Sequence, residues 1–498
     1  MNKTLKGIIG GSALLAVLGG VLVVLKLTEK EPAADSSSEA EVVMLWHANS
    51  DDISKITVEP SDGESFSAVR RMDKTKTTDL NGTAIEQDIA NYYLTGYEDL
   101  PMDTTGIRLL ALRAPELAAV DVILEHASKE DMARFGLDHP TRVTYEVDNA
   151  DPISFLIGDA TQVDSNYYLC MDGGDTVYTV ESTAMDPFLK KPEEFLGKQV
   201  TEELDPDTDL IVNSVQIERK NLDYAIDLEY DSSISGSDRS GSMAQHVMTS
   251  PIYCLLSPDK SSDATHGIYG LSADDIVTPH PTEADKKKCG LDDPFASVTV
   301  KTNDGKTTTF LLGDTYETED GKTYYYGMLS SVNCIYGFSA DATIYDDVVP
   351  SSISSKNILD LYVWDVSHLV CEAGGKKLEF EGEGTDADDF VLTLNGKKYE
   401  NTERYRQFYS FLLQTKAEDL IIEEIETPAE SKRIAALTVE KSDGKRSYQI
   451  DFYDAEGMKA YIAINGRITF RCRKSYVDVL QHNIEIFEED SEEFTTRW

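Results

Sequence analysis

The string GLDHP at residues 136–140, followed by FLIGD at 155–159, recurs as GLDDP at 290–294 followed by FLLGD at 310–314. The first strings lie 154 residues apart and the second strings 155, so two long blocks keep one internal spacing. Such spacing indicates a duplicated unit. Each copy therefore tests any interpretation of the other, and a chemical group present in one copy alone is a poor candidate for defining the fold.

The glycine of the first string stands where a helix is expected to end. The segment 129–135 is helical in character, and Gly136 would take the left-handed conformation that follows a helix. Asp138 is expected to accept backbone N–H bonds in the turn, and Pro140 to launch a strand. We interpret the repeated motif as a structural corner. Its residues are Gly136, Leu137, Asp138, Pro140, Gly158, Asp159, Gly290, Leu291, Asp292, Pro294, Gly313 and Asp314. The alternative is that the aspartates line a cleft or hold a cation.

Antiparallel sheet is expected to dominate the fold. Apolar residues recur at i, i+3 and i+5, as in Ile53-Ile56-Val58, and tight turns such as Asn395-Gly396 separate strand pairs. Besides the segment 129–135, two helices are predicted, one from a capping box at Thr83 and Glu86 and one from the apolar face of residues 405–412. The fold class is therefore α+β.

Three related repeat units are predicted, at residues 42–203, 204–360 and 361–498. The third unit keeps the strand outline, but it lacks the Gly-Leu-Asp-x-Pro string and has Tyr453-Asp454 where Gly-Asp is expected. We therefore regard it as a divergent member of the array.

An uncharged run at residues 7–25 follows Lys3 and Lys6. At about 1.5 Å per residue it is long enough to cross the hydrocarbon layer. Residues 1–30 are therefore expected to form a cytoplasmic tip and transmembrane anchor, and the acidic, serine-rich residues 31–41 a flexible stalk. A cleaved signal peptide is the competing interpretation, but polar residues follow the run in place of a small-residue cleavage site.

The corner, the later Gly-Asp pair and the Val-Tyr strand at residues 177–178 resemble the bacterial domain of unknown function 4340 family. The resemblance covers about 129–200 and 284–348, with Phe135 and Cys289 at a position that is usually aromatic. It implies a membrane-anchored extracytoplasmic protein at the bacterial plasma membrane. It also implies an accessory role beside ABC transporters of the gliding-motility type, and it supplies no catalytic residues.

Composition excludes several function classes. With 46 basic and 90 acidic residues the formal charge is −44, which disfavours nucleic acid as a partner. Hydrolase, zincin and nucleotide-binding signatures do not occur, so no catalytic residue, cofactor or metal site is predicted. Weak calcium binding by the acidic segments 205–209 and 386–389 stays open, although solvated loops are preferred. The six cysteines are expected to be free and buried, with disulfides left open.

The favoured function is a non-enzymatic, single-pass scaffold that presents sheet surfaces to a protein partner in the membrane or envelope. The alternative is an extracytoplasmic enzyme or solute-binding module. That module would use carboxylates in a cleft between units to hold a cationic or carbohydrate ligand.

Overall fold

The computed structural model describes most of the chain. The described residues are 43–78, 84–113, 116–162, 165–205, 208–232, 244–359, 361–386, 388–444, 446–489 and 492–498. The expected anchor at 1–30 and stalk at 31–41 lie outside these ranges. None of the helices within the ranges is long and apolar enough to cross a membrane.

Strands are the main element of the described chain. They are β1 (Val43–His47), β2 (Ile53–Glu59), β3 (Phe66–Thr78), β4 (Ala84–Leu94), β5 (Glu116–Ala119), β6 (Asp121–Leu124), β7 (Thr141–Val147), β8 (Ile153–Ala160), β9 (Tyr167–Met171), β10 (Val177–Val180), β11 (Val212–Arg219), β12 (Ile226–Tyr230), β13 (His246–Ser250), β14 (Cys254–Leu255), β15 (Asp275–Pro279), β16 (Ala296–Thr302), β17 (Thr307–Glu317), β18 (Thr323–Leu329), β19 (Cys334–Ser339), β20 (Val366–Ala373), β21 (Lys376–Glu383), β22 (Val391–Leu394), β23 (Lys397–Tyr399), β24 (Asp419–Leu420), β25 (Arg433–Lys441), β26 (Ser447–Ala455), β27 (Lys459–Ile464) and β28 (Arg467–Arg473).

Helices are short and few by comparison. They are α1 (Thr104–Arg113), α2 (Lys129–Arg134), α3 (Ser182–Met185), α4 (Pro258–His266), α5 (Glu283–Lys288), α6 (Pro350–Ile353), α7 (Thr402–Leu413) and α8 (Lys474–Glu485). The pairing within the sheets is antiparallel, so the predicted α+β class with mainly antiparallel sheet is confirmed.

The described residues form two compact units. Unit 1 takes the residues up to Ser65 together with Leu110–Leu189, and unit 2 takes Phe66–Leu109 and Lys190–Trp498. In unit 1, β1 pairs with β5, and the other strands follow the order β2-β7-β8-β9-β10-β6. Unit 2 contains the β3–β4 hairpin and two nine-stranded sheets. The predicted boundaries of the three repeat units stay a prediction.

The two nine-stranded sheets have the same strand order. One runs β14-β13-β12-β11-β16-β17-β18-β19-β15, and the other runs β23-β22-β21-β20-β25-β26-β27-β28-β24. In both, a first strand lies beside a four-stranded meander, and a single strand closes the far edge. Six of the strands of unit 1 follow this scheme too, with β2 first, β7–β10 as the meander and β6 at the edge.

A β-bulge explains the apolar spacing of i, i+3 and i+5. In β2 the pairing with β7 shifts between Ile53 and Lys55, and β11 and β20 shift after their first residues in the same way. The extra residue moves the alternation by one position, so Ile53 and Ile56 share the buried face with Val58. The pattern that predicted strands is therefore the pattern of a bulged strand.

The predicted helix at residues 83–93 is wrong. Thr83 lies outside the described residues, and the rest of the segment forms β4, which pairs along its length with β3. Tyr93 and Asn91 both donate hydrogen bonds to Asp73 across this pair, at 2.5 and 2.7 Å. Isoleucine and tyrosine favour strands, and the cross-strand partners outweigh the local capping signal. The predicted helix at 405–412 is confirmed as α7.

The core of unit 2 continues across the predicted boundary at 360/361. A single apolar cluster joins Val215 and Val298 of the first nine-stranded sheet to Leu369 and Leu437 of the second. Phe408 of α7 belongs to the same cluster. The two sheets therefore share one core.

The segment that precedes each first strand runs beside the segment that precedes the edge strand. In unit 1, β1 pairs with β5, which comes just before β6. In unit 2 the Ala273 N–H donates to the Lys198 carbonyl at 2.7 Å, just before β15, and the Ala417 N–H donates to the Lys356 carbonyl at 2.9 Å, just before β24. We call this arrangement the edge clasp.

Candidate functional site

The first corner motif begins with a capped helix and a left-handed glycine. Ser128 and Asp131 form a capping box at the start of α2. At its end the Leu137 N–H donates to the Met132 carbonyl at 2.9 Å, and the Gly136 N–H donates to the Ala133 carbonyl at 3.4 Å. With φ of +70° at Gly136 this is a Schellman motif. Its two backbone bonds satisfy carbonyls that the helix leaves open.

The two halves of the motif meet in space. The Asp159 N–H donates to the carbonyl of Phe135, the last residue before Gly136, at 2.9 Å. A Cβ atom on Gly158 would overlap that same carbonyl oxygen, and one on Gly136 would lie 2.5 Å from Cγ of Asp159. The pairing of β8 with β9 is bulged between Ile157 and Ala160, which frees the Asp159 N–H. Gly-Leu-Asp-x-Pro and Gly-Asp are therefore parts of one helix-to-strand joint.

The second copy has the same joint. Thr282 and Asp285 cap α5, Gly290 has φ of +69°, and the Asp314 N–H donates to the Cys289 carbonyl at 2.9 Å. A Cβ atom on Gly313 would overlap that carbonyl, and β17 is bulged at this point. Both leucines are 6% exposed. Leu137 packs with Cys170 and Val177, and Leu291 packs with Cys289 and Ile335.

The third sheet replaces the joint with continuous strand pairing. A 3₁₀ turn at Glu430–Lys432 leads directly into β25. Tyr453 pairs with Tyr461 and Asp454 with Ala460, without a bulge at the position of Gly-Asp. Tyr453 is buried, and the Asp454 carboxylate forms an ion pair with Lys474. The loss of the glycines and the loss of the bulge therefore go together.

The motif aspartates present their carboxylates to solvent. Asp138, Asp159, Asp292 and Asp314 are all exposed. The Asp138 carboxylate lies 3.9 Å from Nε2 of His139. It is the backbone N–H of Asp159 and Asp314, rather than the expected side chain of Asp138, that makes the joint. Pro140 and Pro294 are half-buried and lie just before β7 and β16.

The acidic segments considered for calcium behave as turns where they are described. Asp389 accepts backbone N–H bonds from Asp386 and Thr385 at 2.9 and 2.7 Å, and these bonds lower the pKa of its carboxyl. Asp386 accepts the Asp388 N–H at 2.8 Å. Residues 206–207 and 387 lie outside the described ranges. Within those ranges no group of three or more His, Cys, Asp or Glu side chains is placed to hold a metal ion.

An exposed apolar patch lies on unit 1, and the sequence analysis did not identify it. Eleven large apolar side chains are exposed in the described part of the chain, and five of them lie on β1 or in residues 120–123. These five, which we call the β6 patch, are Val43, Met44, Val120, Val122 and Ile123, with exposures of 37 to 52%. The string Val-Asp-Val-Ile-Leu reads as an ordinary strand, so only the fold reveals the exposure.

Two neighbouring histidines of unit 2 are shielded from solvent, His246 buried and His266 half-buried. His246 is 4% exposed, and its Nε2–H donates to the Val212 carbonyl at 2.7 Å. Burial lowers the pKa of His246 to about 4, and burial also lowers the pKa of His266, whose ring lies 5.5 Å away. All six cysteines are buried and free, as expected.

A groove of about 660 Å³ opens on the second nine-stranded half of unit 2. One wall carries Tyr362 and Trp364, whose rings stack at 5.4 Å and 9°. Arg406 and Gln407 of α7 also line the groove, together with Phe494. Aromatic rings combined with amide and charged groups are suited to a small polar ligand.

One of the two joints lies within the range of the chain that a family model matches. No curated protein and no solved structure matches the chain. The model of a family described as a domain of unknown function, DUF4340, matches residues 93–232, a range that contains α2 and β6–β10. The second joint, at 283–314, lies outside the match. Over residues 93–232 the chain therefore resembles the domain of unknown function family DUF4340.

Proposed function

We propose that the protein is a single-pass, membrane-anchored extracytoplasmic scaffold of three related repeat units. It serves as a binding accessory of an ABC-type transporter or another envelope complex. The observation that carries the proposal is that the glycines and backbone groups of the motif have structural roles in the helix-to-strand joint. The glycines stop a helix and admit a carbonyl, while the four aspartate carboxylates stay exposed. The repeated strand order supports descent of the three sheets from one unit.

The anchor is supported by the uncharged run at 7–25 and by the basic residues before it. With this orientation, residues from 31 onward lie outside the cell. The strongly acidic composition suits a protein that stays off anionic lipid headgroups.

Orientation is testable because the native thiols are buried. Met458 is 79% exposed, so Met458→Cys supplies an accessible thiol on the same folded part. A membrane-impermeant maleimide added to intact cells should label this variant, whereas Thr4→Cys should react only after the cells are opened. The reverse pattern would contradict the extracytoplasmic placement.

The partner is tested by recovery from membranes. The full chain is solubilised in mild detergent and purified by a terminal tag. Stable, stoichiometric recovery of a transporter subunit is expected. A lone monomer that survives gentle solubilisation would argue against the scaffold function.

A second candidate, a solute-binding module, is favoured by the Tyr362–Trp364 groove. Stacked rings present a flat apolar face, and Gln407 with Arg406 supplies hydrogen-bond donors for a neutral oligosaccharide. Titration with neutral oligosaccharides should then change tryptophan fluorescence, and Trp364→Ala should abolish the change. An unchanged signal at millimolar sugar would remove this candidate.

A further inference from the structure

The β6 patch lies where strand edge and apolar side chains coincide. β6 is the last strand in its sheet order and pairs with β10 on one side. The pairing with β10 shifts between Val122 and Leu124, so β6 is bulged at Ile123 and its side chains do not alternate strictly between the two faces. Val122 and Ile123 are both exposed, at 44% and 42%. An edge strand with exposed apolar side chains is a template for pairing with another strand.

The patch extends across the edge clasp onto β1. Val43 pairs with Ala119, which precedes Val120, and Met44 pairs with Ala118. The exposed side chains of β1 thus lie beside the connection from β5 to β6. They widen the apolar strip instead of covering it.

The equivalent strand of the first nine-stranded sheet, β15, does not show this exposure. All five residues of β15 are half-buried, and Val277 packs against the cluster of Cys289, Leu291 and Ile335. The Tyr316 hydroxyl also donates to Asp275 at 3.3 Å. The same place in the fold is therefore shielded in one copy and open in the other, so the openness of β6 is not a requirement of the architecture.

The charges around the patch restrict what covers it. Asp121 lies within the strand and Glu125 follows it, and both are exposed. The chain as a whole carries a formal charge of −44, so a second copy would meet strong like-charge repulsion. A strand with lysine or arginine between its apolar residues would pair with these carboxylates and cover the valine and isoleucine.

We propose that β6 is a docking edge for an extended segment of a protein partner in which apolar residues alternate with basic ones. The segment adds to the sheet as a further antiparallel or parallel strand beyond β6. Backbone hydrogen bonds supply affinity, and the flanking carboxylates select the basic partner. This inference rests on the proposed scaffold function and names the chemistry of its partner.

The test uses the full chain in detergent and a ten-residue peptide of alternating valine and lysine. Hydrogen exchange should show new protection of residues 120–125 when the peptide is added. Binding should weaken steeply as salt rises from about 50 to 300 mM, since the attraction is partly between exposed charges. The same peptide with glutamate in place of lysine should not bind. Equal binding of both peptides, or protection elsewhere, would overturn the proposal.

Two variants localise the effect, and one serves as a control. Ile123→Lys should weaken binding at least tenfold, because it removes an apolar contact and repels the peptide. Asp121→Asn should reduce the salt dependence. Val391→Lys changes an equally exposed valine on β22 of unit 2, at 51%, and should leave binding unaltered. The unfolding midpoint of each variant shows that the fold is intact.

The remaining outcomes are distinguishable. If Ile123→Lys abolishes a concentration-dependent dimer, the patch is an interface between copies, and the proposal fails. If residues 120–125 become protected only by lipid vesicles, the patch faces the membrane, and the proposal fails as well. If a transporter complex is recovered equally with the Ile123→Lys variant, the scaffold function stands while the β6 docking edge is refuted.

Discussion

Gly158 and Gly313 lie where a side chain has no room. Neither has a left-handed backbone, but in each case a carbonyl oxygen occupies the place that a Cβ would fill. Gly305 is the opposite case, since it has φ of +85° and open space around it. Gly158 and Gly313 are therefore required by lack of space, whereas Gly305 is favoured by its backbone conformation, and the two effects can be compared in one chain.

We expect Gly158→Ala to destabilise the protein by more than about 3 kcal/mol. The added methyl must displace the Phe135 carbonyl and break its bond from the Asp159 N–H. Gly305→Ala should cost only about 1 kcal/mol, the usual penalty of a left-handed alanine. Urea unfolding of the full chain in detergent measures both. Equal losses would show that the joint at Gly158 has room to relax.

His246 should make stability depend on pH. Its folded pKa, about 4, is below the ordinary value of 6.5, so the unfolded chain binds more protons between these values. The stabilisation is complete above pH 6.5 and is lost as the pH falls towards 4. By pH 5 the loss is about 2 kcal/mol.

His246→Gln keeps a donor for the Val212 carbonyl but does not titrate. The variant should lose most of this slope between pH 7 and 5, with a smaller slope left from His266, whose pKa burial also lowers. Urea midpoints at the two pH values measure the effect. A slope unchanged from that of the parent would assign the pH dependence to other groups.

The helices α2 and α5 are equivalent elements of the two copies, and each begins with a capping box. Ser128 and Thr282 each accept a backbone N–H three residues on, at 3.2 and 3.3 Å. Ser128→Ala and Thr282→Ala should each lower the free energy of unfolding by about 1 kcal/mol, and the two losses should be similar. Thr105→Ala, at an exposed helical position of α1, should be neutral or slightly stabilising. A large effect at one cap alone would mean that the joints are not equivalent.

The strands were largely predictable from the sequence. Of the joint, only the local part was predictable. In the third predicted unit, residues 436–441, 448–453, 460–464 and 468–473 read as strands from the sequence, and they lie in β25, β26, β27 and β28. The glycine stop at Gly136 was predictable because its causes are local. The contact of the Phe135 carbonyl with Gly158 was not predictable, since these residues, 23 apart in sequence, are brought together by the bulge in β8. The helix prediction for residues 83–93 was wrong because the pairing of β4 with β3 outweighs the local capping signal. The exposure of Ile123 depends on the tertiary packing around β6, which cannot be read from the sequence of that strand alone.

The two nine-stranded sheets of unit 2 have the same strand order, and a shared apolar core joins them. Leu369 of β20 is fully buried in this core, together with residues of the other sheet. We expect Leu369→Ala to cost about 2 to 5 kcal/mol. It should lower hydrogen-exchange protection in β16 as well as in β25, because the two sheets unfold together.

The control for this effect is Val391→Ala, which truncates an exposed side chain of the same sheet. It should leave protection in both strands unaltered. If Leu369→Ala loosened β25 and left β16 as protected as before, the sheets would unfold separately and the shared core would not couple them.

The edge clasp of unit 1 has a mechanical consequence. β1 is the first described element after residues 1–42, so any tension applied through that part of the chain reaches β1 before the rest of unit 1. Its short pairing with β5 would detach before β2, which is held along its length by β7. Detachment would carry Val43 and Met44 away from Val120 and leave the β6 edge in place. Pulling on the chain would thus remodel the strip beside β6 without unfolding the meander.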